Sequence, residues 1–172
     1  YLAYFATNVI KVGISQEERG IRRLLEQGAR LAIKLETFSS ALIARQYEAK
    51  ISKLDGIVET LPVYKKLELI KQPFDRAAGE KELRQKLLEI EQKIGVSFPK
   101  SELIPCEDYF QTAGVDLSRV VLMKDCSQLV GRVRSVIGSI VITDYDGQLL
   151  AYNIKKLIGY RSQKVDEEIE LD

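Results

Sequence analysis

The sequence predicts an α+β fold: a ββαβα unit, a helical extension of that unit, then a small C-terminal antiparallel β domain. Three observations carry this. Strand-like and helical apolar periods alternate over residues 1–56, helical stripes dominate 57–97, and from about residue 119 the pattern turns strand-like with glycine and aspartate between the runs. The expected division is therefore 1–56, 57–97 and 98–172, the last part β-rich and ending in an acidic tail.

Residues 1–5 and 9–14 are rich in β-branched, aromatic and aliphatic side chains, and Ala6-Thr7-Asn8 between them predicts a hairpin. Ser15 and Glu18 have capping-box spacing, which predicts a helix over 16–27 that Gly28 terminates. Ile21, Leu24 and Leu25 form its apolar stripe, and Arg19, Arg23 and Gln27 recur every fourth residue on the polar face. Leu31, Ile33 and Leu35 alternate as a third strand. Ser39 or Ser40 then caps a helix reaching about residue 54, with Ile43, Tyr47, Ile51 and Leu54 facing the core. Ala41, Ala44 and Glu48 form a second stripe whose small residues bring Glu48 close to the sheet. A short helix near 63–71 and a longer one over 79–94 follow, the second burying Leu83, Leu87, Ile90 and Ile94. Asp146-Gly147 signals a hairpin between 140–143 and 149–154. Gly131, Gly138 and Gly159 inside strand-like runs suggest bulges or bends. Val130, Val133 and Val136 alternate with Arg132 and Arg134, which predicts a core face and a basic face.

Of the 172 residues, 45% are hydrophobic and 30% charged, enough for a core. No apolar run approaches the roughly 18 residues a membrane span needs, so the expected setting is cytoplasmic, away from the membrane. The chain opens at Tyr1 without methionine and reads as a piece of a longer one. Two cysteines, Cys106 and Cys126, are expected as buried thiols rather than zinc ligands. There is no histidine, which removes the commonest acid–base residue and metal ligand. Net charge is +1, but 118–164 holds eight Lys or Arg against three Asp, and 166–172 holds five acids. That distribution reads as a basic footprint with a self-shielding tail, or as a solvated surface.

The order hairpin, Lys11-Val12-Gly13, arginine-bearing helix, strand, Glu48-bearing helix resembles the GIY-YIG nuclease superfamily. It is most similar to an uncharacterised prokaryotic branch, a domain of unknown function, with KVG in place of YIG. RRLLEQGA at 22–29 and the GxVRxxxG…DG…N…GY pattern from Gly131 to Tyr160 extend the likeness over most of the chain. The resemblance implies a divalent-metal-dependent nucleic-acid endonuclease. Tyr1 falls at the first-motif tyrosine and Lys11 at the second, a departure. The helix arginine is Arg23, with Arg19 as rival, because Gln27 stands four residues on where many members have histidine. Glu48 falls at the metal-binding glutamate, which implies Mg²⁺.

In such a site a carboxylate holds a hard cation on a phosphate oxygen, and an arginine fork stabilises transition-state charge. A tyrosine relays a proton if cations lower its pKa from about 10. Lys11 would contact phosphate but, protonated, would not act as a base. The alternative function is a non-catalytic nucleic-acid-binding module on the same scaffold, and a third is a protein-interaction scaffold. On that simpler view Arg19 and Arg23 pair with Glu18 or Glu26, and Glu48 with Arg45 or Lys50. The expected partner is nucleic acid, DNA in the first instance, with Arg132, Arg134, Lys155, Lys156 and Arg161 as binding residues, extended by Tyr152 and Tyr160.

Overall fold

A computed structural model describes residues 1–161 and 163. The acidic tail read from the sequence lies outside the described residues. The fold is α+β, with two sheets and four α-helices among those residues.

The first sheet is built on β1 (Leu2–Ala6), whose five residues are all buried. Antiparallel neighbours β2 (Val9–Val12) and β3 (Leu31–Lys34) flank it; the hairpin and the third strand are those the sequence predicted, and the pairing of β3 with β1 is added by the structure. The short β4 (Ile57–Val58) adds parallel to β2, and β5 (Glu102–Ile104) adds antiparallel to β3. The order is thus β4-β2-β1-β3-β5.

Period-two alternation assigns the two faces of this sheet to different cores. Leu2, Tyr4, Ile10, Val12, Leu31 and Ile33 pack against Ile51 of α2 (Ala41–Ile51) and Leu83, Leu87 and Ile90 of α4 (Arg76–Ile94). Burying one such aliphatic side chain contributes about 1.5–3 kcal/mol. The opposite face presents Ala3, Phe5 and Ala32 to α1 (Arg22–Gln27), α3 (Val63–Ile70) and the second sheet. Small residues at 3 and 32 make room for those elements.

The second sheet is β6-β9-β8-β7, from β6 (Val121–Leu122), β7 (Arg132–Ile137), β8 (Ile140–Tyr145) and β9 (Gln148–Asn153). Asp146-Gly147 joins β8 to β9 as its sequence signalled. Ile137, Ile140 and Ile142 share a core with Leu24, Ala32, Leu67 and Ile70, which ties the two sheets together.

Four expectations are corrected. The helix expected over 16–27 is two pieces, a 3-10 turn at Glu17–Arg19 and α1. Gly20 separates them at φ 46°, ψ −138°, a conformation that side chains with a Cβ avoid. Ser15 accordingly caps nothing; its hydroxyl donates to the Gln16 carbonyl. Of the expected stripe on α2, Ile51 is buried while Ile43 is 37% exposed; Ser40 is the cap, accepting from the Ile43 N–H. In β7 a bulge between Val133 and Ser135 shifts the alternation, so Ser135 and Ile137 face the core while Val133 and Val136 stand outside. Tyr152 is in the core, its hydroxyl accepting from the Val130 N–H, and is not a surface aromatic.

Candidate functional site

The backbone of Tyr1 extends the β1–β2 ladder by one pair, exchanging hydrogen bonds of 2.9 and 3.0 Å with Gly13. Its ring then folds back across the Gly13 Cα. A Cβ built at position 13 would stand 2.5 Å from the Tyr1 hydroxyl oxygen and 2.6 Å from Cζ. Gly13 therefore supplies space: no side chain fits beneath the ring where it lies.

The hydroxyl meets Arg23, which α1 carries over the end of the sheet, with the Arg19 and Glu48 charges also near it. Arg19 reaches there from the 3-10 turn, not from the helix that bears Arg23. Both arginines share Glu26 as partner: Arg19 pairs with it closely, and Arg23 at 3.7 Å. Glu48, on the half-buried face of α2, makes no ion pair among the described residues, with neither Arg45 nor Lys50. Tyr1, Gly13, Arg19, Arg23 and Glu48 all line one groove of about 1050 Å³.

Lys11 is placed differently. Register puts it opposite Ala3, on the Tyr1 face of the sheet, but its ammonium donates to the Val12 carbonyl at 3.3 Å and to that of Glu59. It is not part of the groove wall. Burial lowers its pKa below the usual lysine value, Glu48 opposes that, and Arg23 adds to it.

Tyr1 differs from expectation in its acidity. Burial pushes the phenol pKa above 10 and outweighs the pull of Arg23 and Arg19, while Glu48 pushes the same way as burial. In the protein alone the hydroxyl is a hydrogen-bond donor, not a ready base.

None of the expected nucleic-acid residues lines this groove. Arg132 and Arg134 are on exposed positions of β7, Arg134 paired with Asp144 at 3.5 Å. Lys155 and Lys156 share the 3-10 turn Ile154–Leu157, and Lys156 donates to the Lys124 carbonyl. Arg161 and Tyr160 are exposed beyond it.

Two buried cations were not anticipated. Lys66, 7% exposed, donates to the Gln27 carbonyl at the end of α1 and lies 5.2 Å over the Phe5 ring. Arg30 donates through Nη2 to the carbonyls of Leu69, Ile70 and Gln72, closing the end of α3, and stacks on Phe74 at 5.0 Å. Both place positive charge at a helix C-terminus, where orphan carbonyls concentrate negative potential. The available signal was Lys66 itself, a cation inside the Val63–Leu67–Ile70 apolar stripe.

Among the described residues no group of three or more metal-ligating side chains gathers. Glu48, one of several carboxylates on the groove, makes no ion pair among the described residues, which leaves it open to a magnesium ion that arrives with substrate phosphates, not one held by a protein cage.

Comparison with known families adds one match: the family described as "Protein of unknown function (DUF2797)" covers residues 1–162. The chain belongs to that family. No curated protein and no solved structure matches it. The family description names no chemistry, so the function of this member has to be argued from the groove. Among the described residues no helix is long and apolar enough to cross a membrane.

Proposed function

We propose that this family member hydrolyses phosphodiester bonds of nucleic acid, as a Mg²⁺-dependent endonuclease on a GIY-YIG-like unit. The observation that carries the reading is the convergence of Tyr1, Arg19, Arg23 and Glu48, from four separate segments, on one groove. Their order along the chain is that of the superfamily the sequence resembles. The antiparallel β2-β1-β3 arrangement, with α1 between β2 and β3 in sequence, supports it further.

Arg23 offers a fork of donors to the phosphate, and Arg19 adds charge at the rim. The Tyr1 hydroxyl donates a hydrogen bond to a phosphate oxygen or orients the attacking water, its ring fixed over Gly13. Lys11 contributes field from beneath. Glu48 would hold the ion, which supplies Lewis-acid stabilisation of the phosphate when bound.

One observation favours the alternative of a binding module without catalysis. The Tyr1 phenol is driven toward its protonated form and the Lys11 ammonium is engaged by carbonyls, so neither residue expected on the nucleophile side stands ready as a base. The two readings separate in one experiment with supercoiled and linear DNA. Mg²⁺-dependent nicking that Glu48→Ala abolishes supports the enzyme. Salt-sensitive binding without cleavage in any divalent ion supports the module. Absence of binding to DNA and RNA at low salt refutes both.

A further inference from the structure

Lys66 belongs to none of the motifs that point to the groove, yet four elements bring it together with three other cations. Its ammonium sits on the Gln27 carbonyl, one helical turn beyond Arg23 on α1. It also covers Phe5, which shares a sheet face with Tyr1, Ala3 and Lys11. Lys155 reaches the same place through the second sheet. The β7–β8 turn abuts the end of α1 so closely that a Cβ on Gly138 would stand 2.9 Å from the Glu26 oxygen and the Gly28 nitrogen. Ser139 of that turn accepts the Ile154 N–H at 3.0 Å, and Asn153 Oδ1 accepts the Lys155 N–H at 3.2 Å. Two short links thus tie the Lys155 turn to the helix end that Lys66 caps.

The cations are felt. Burial lowers the Lys66 pKa to about 8, and the charges of Lys155, Lys11 and Arg23 all push it the same way. Among the described residues none of Lys11, Lys66 and Lys155 has an ion-pair partner; Lys11 and Lys66 donate to main-chain carbonyls. Glu48 and Glu59 offset part of this charge at Lys11, but neither forms an ion pair with Lys11, Lys66 or Lys155 among the described residues, so the cluster keeps a positive excess that a bound anion would relieve.

We infer that Lys11, Lys66 and Lys155 form a second phosphate subsite beside Arg23, occupied by the neighbouring backbone phosphate of the nucleic acid. Lys155 and Lys11 contact it, and Lys66 supplies charge from below. The second sheet then belongs to the same binding track as the groove, through Lys155, and Arg132 and Arg134 on β7 lie outside that track. This rests on the reading of the groove as a phosphodiester site, and it deepens that reading.

Inorganic pyrophosphate, a compact polyanion, tests the subsite directly on the full chain. Lysine ¹³Cε resonances are followed through a pH titration with and without it, Lys66 being assigned through Lys66→Arg. The expected result is a Lys66 midpoint displaced to higher pH by bound pyrophosphate, and weaker pyrophosphate binding by Lys155→Ala, an exposed position that leaves the fold intact. With an oligonucleotide, Lys155→Ala lowers the slope of log affinity against log salt by about 1. An unmoved Lys66 midpoint together with an unchanged salt slope in Lys155→Ala overturns the inference. The proposed activity fails separately: wild-type protein that never cleaves, yet shows the Lys66 displacement, keeps the subsite and loses the nuclease.

Discussion

Gly13→Ala separates the geometry of the groove from the stability of the fold. The new Cβ would stand 2.5 Å from the Tyr1 oxygen, and non-bonded heavy atoms settle near about 3.5 Å, so the ring must retreat by about 1 Å. The ring is the far end of a half-buried side chain and can turn away, which holds the cost to stability near about 1 kcal/mol, the low end of overpacking. Misplacing a reacting group by about 1 Å costs roughly 100-fold in rate. Gly138→Ala is the control. There the Cβ meets main-chain atoms at 2.9 Å, which cannot swing aside, and φ is +62°. Its expected cost is roughly 2–4 kcal/mol from overpacking and left-handed strain combined. Thermal unfolding by circular dichroism, run beside a plasmid-nicking assay, reads both. Gly13→Ala should melt near the wild type and cut about 100-fold more slowly, while Gly138→Ala melts clearly earlier. A Gly13→Ala protein that unfolds as early as Gly138→Ala, or that nicks at the wild-type rate, refutes the placement of Tyr1.

Other expectations follow from the buried cations and the corrected strand. The depressed Lys66 pKa means that the unfolded chain binds more protons than the folded one between about pH 8 and 10.5. The penalty for charging Lys66 is therefore full below about pH 8 and gone above 10.5. The stability of Lys66→Met relative to wild type should fall across that window by on the order of 3 kcal/mol in urea titrations, and a flat difference contradicts the burial argument. Arg30→Ala should cost about 3 kcal/mol and speed amide exchange in α3, because three carbonyls lose their donor. Val136→Lys should change stability by less than about 0.5 kcal/mol, since the bulge leaves position 136 exposed; a loss above 2 kcal/mol would return it to the core.

Much of the fold was legible because its signals are local. The Tyr1–Val12 hairpin, β3, the Ser40 cap and the Leu83–Leu87–Ile90 stripe each follow from spacing and from one residue's hydrogen bonding. The failures have a common physical origin. Gly20 outweighed a sound apolar stripe because one backbone conformation ends a helix whatever its periodicity. The β7 bulge inverted a face because a single extra residue shifts a period of two. The superfamily resemblance named Tyr1, Lys11, Arg19, Arg23 and Glu48; Tyr1, Arg19, Arg23 and Glu48 line one groove, and Lys11 does not. The acidity of Tyr1 was not legible, since burial sets it and burial is a property of the packed molecule. Lys66 and Arg30 escaped for the same reason: each serves a helix end about 40 residues away in sequence.

The central claim is that the Tyr1–Arg23–Glu48 groove acts on phosphodiesters, and single-turnover cleavage of an end-labelled DNA tests it most directly. Wild-type protein in excess Mg²⁺ should release product, and Glu48→Gln, which keeps shape and loses charge, should bind the DNA yet release none. Equal product from both proteins, or none from the wild type despite saturated binding, would contradict the claim.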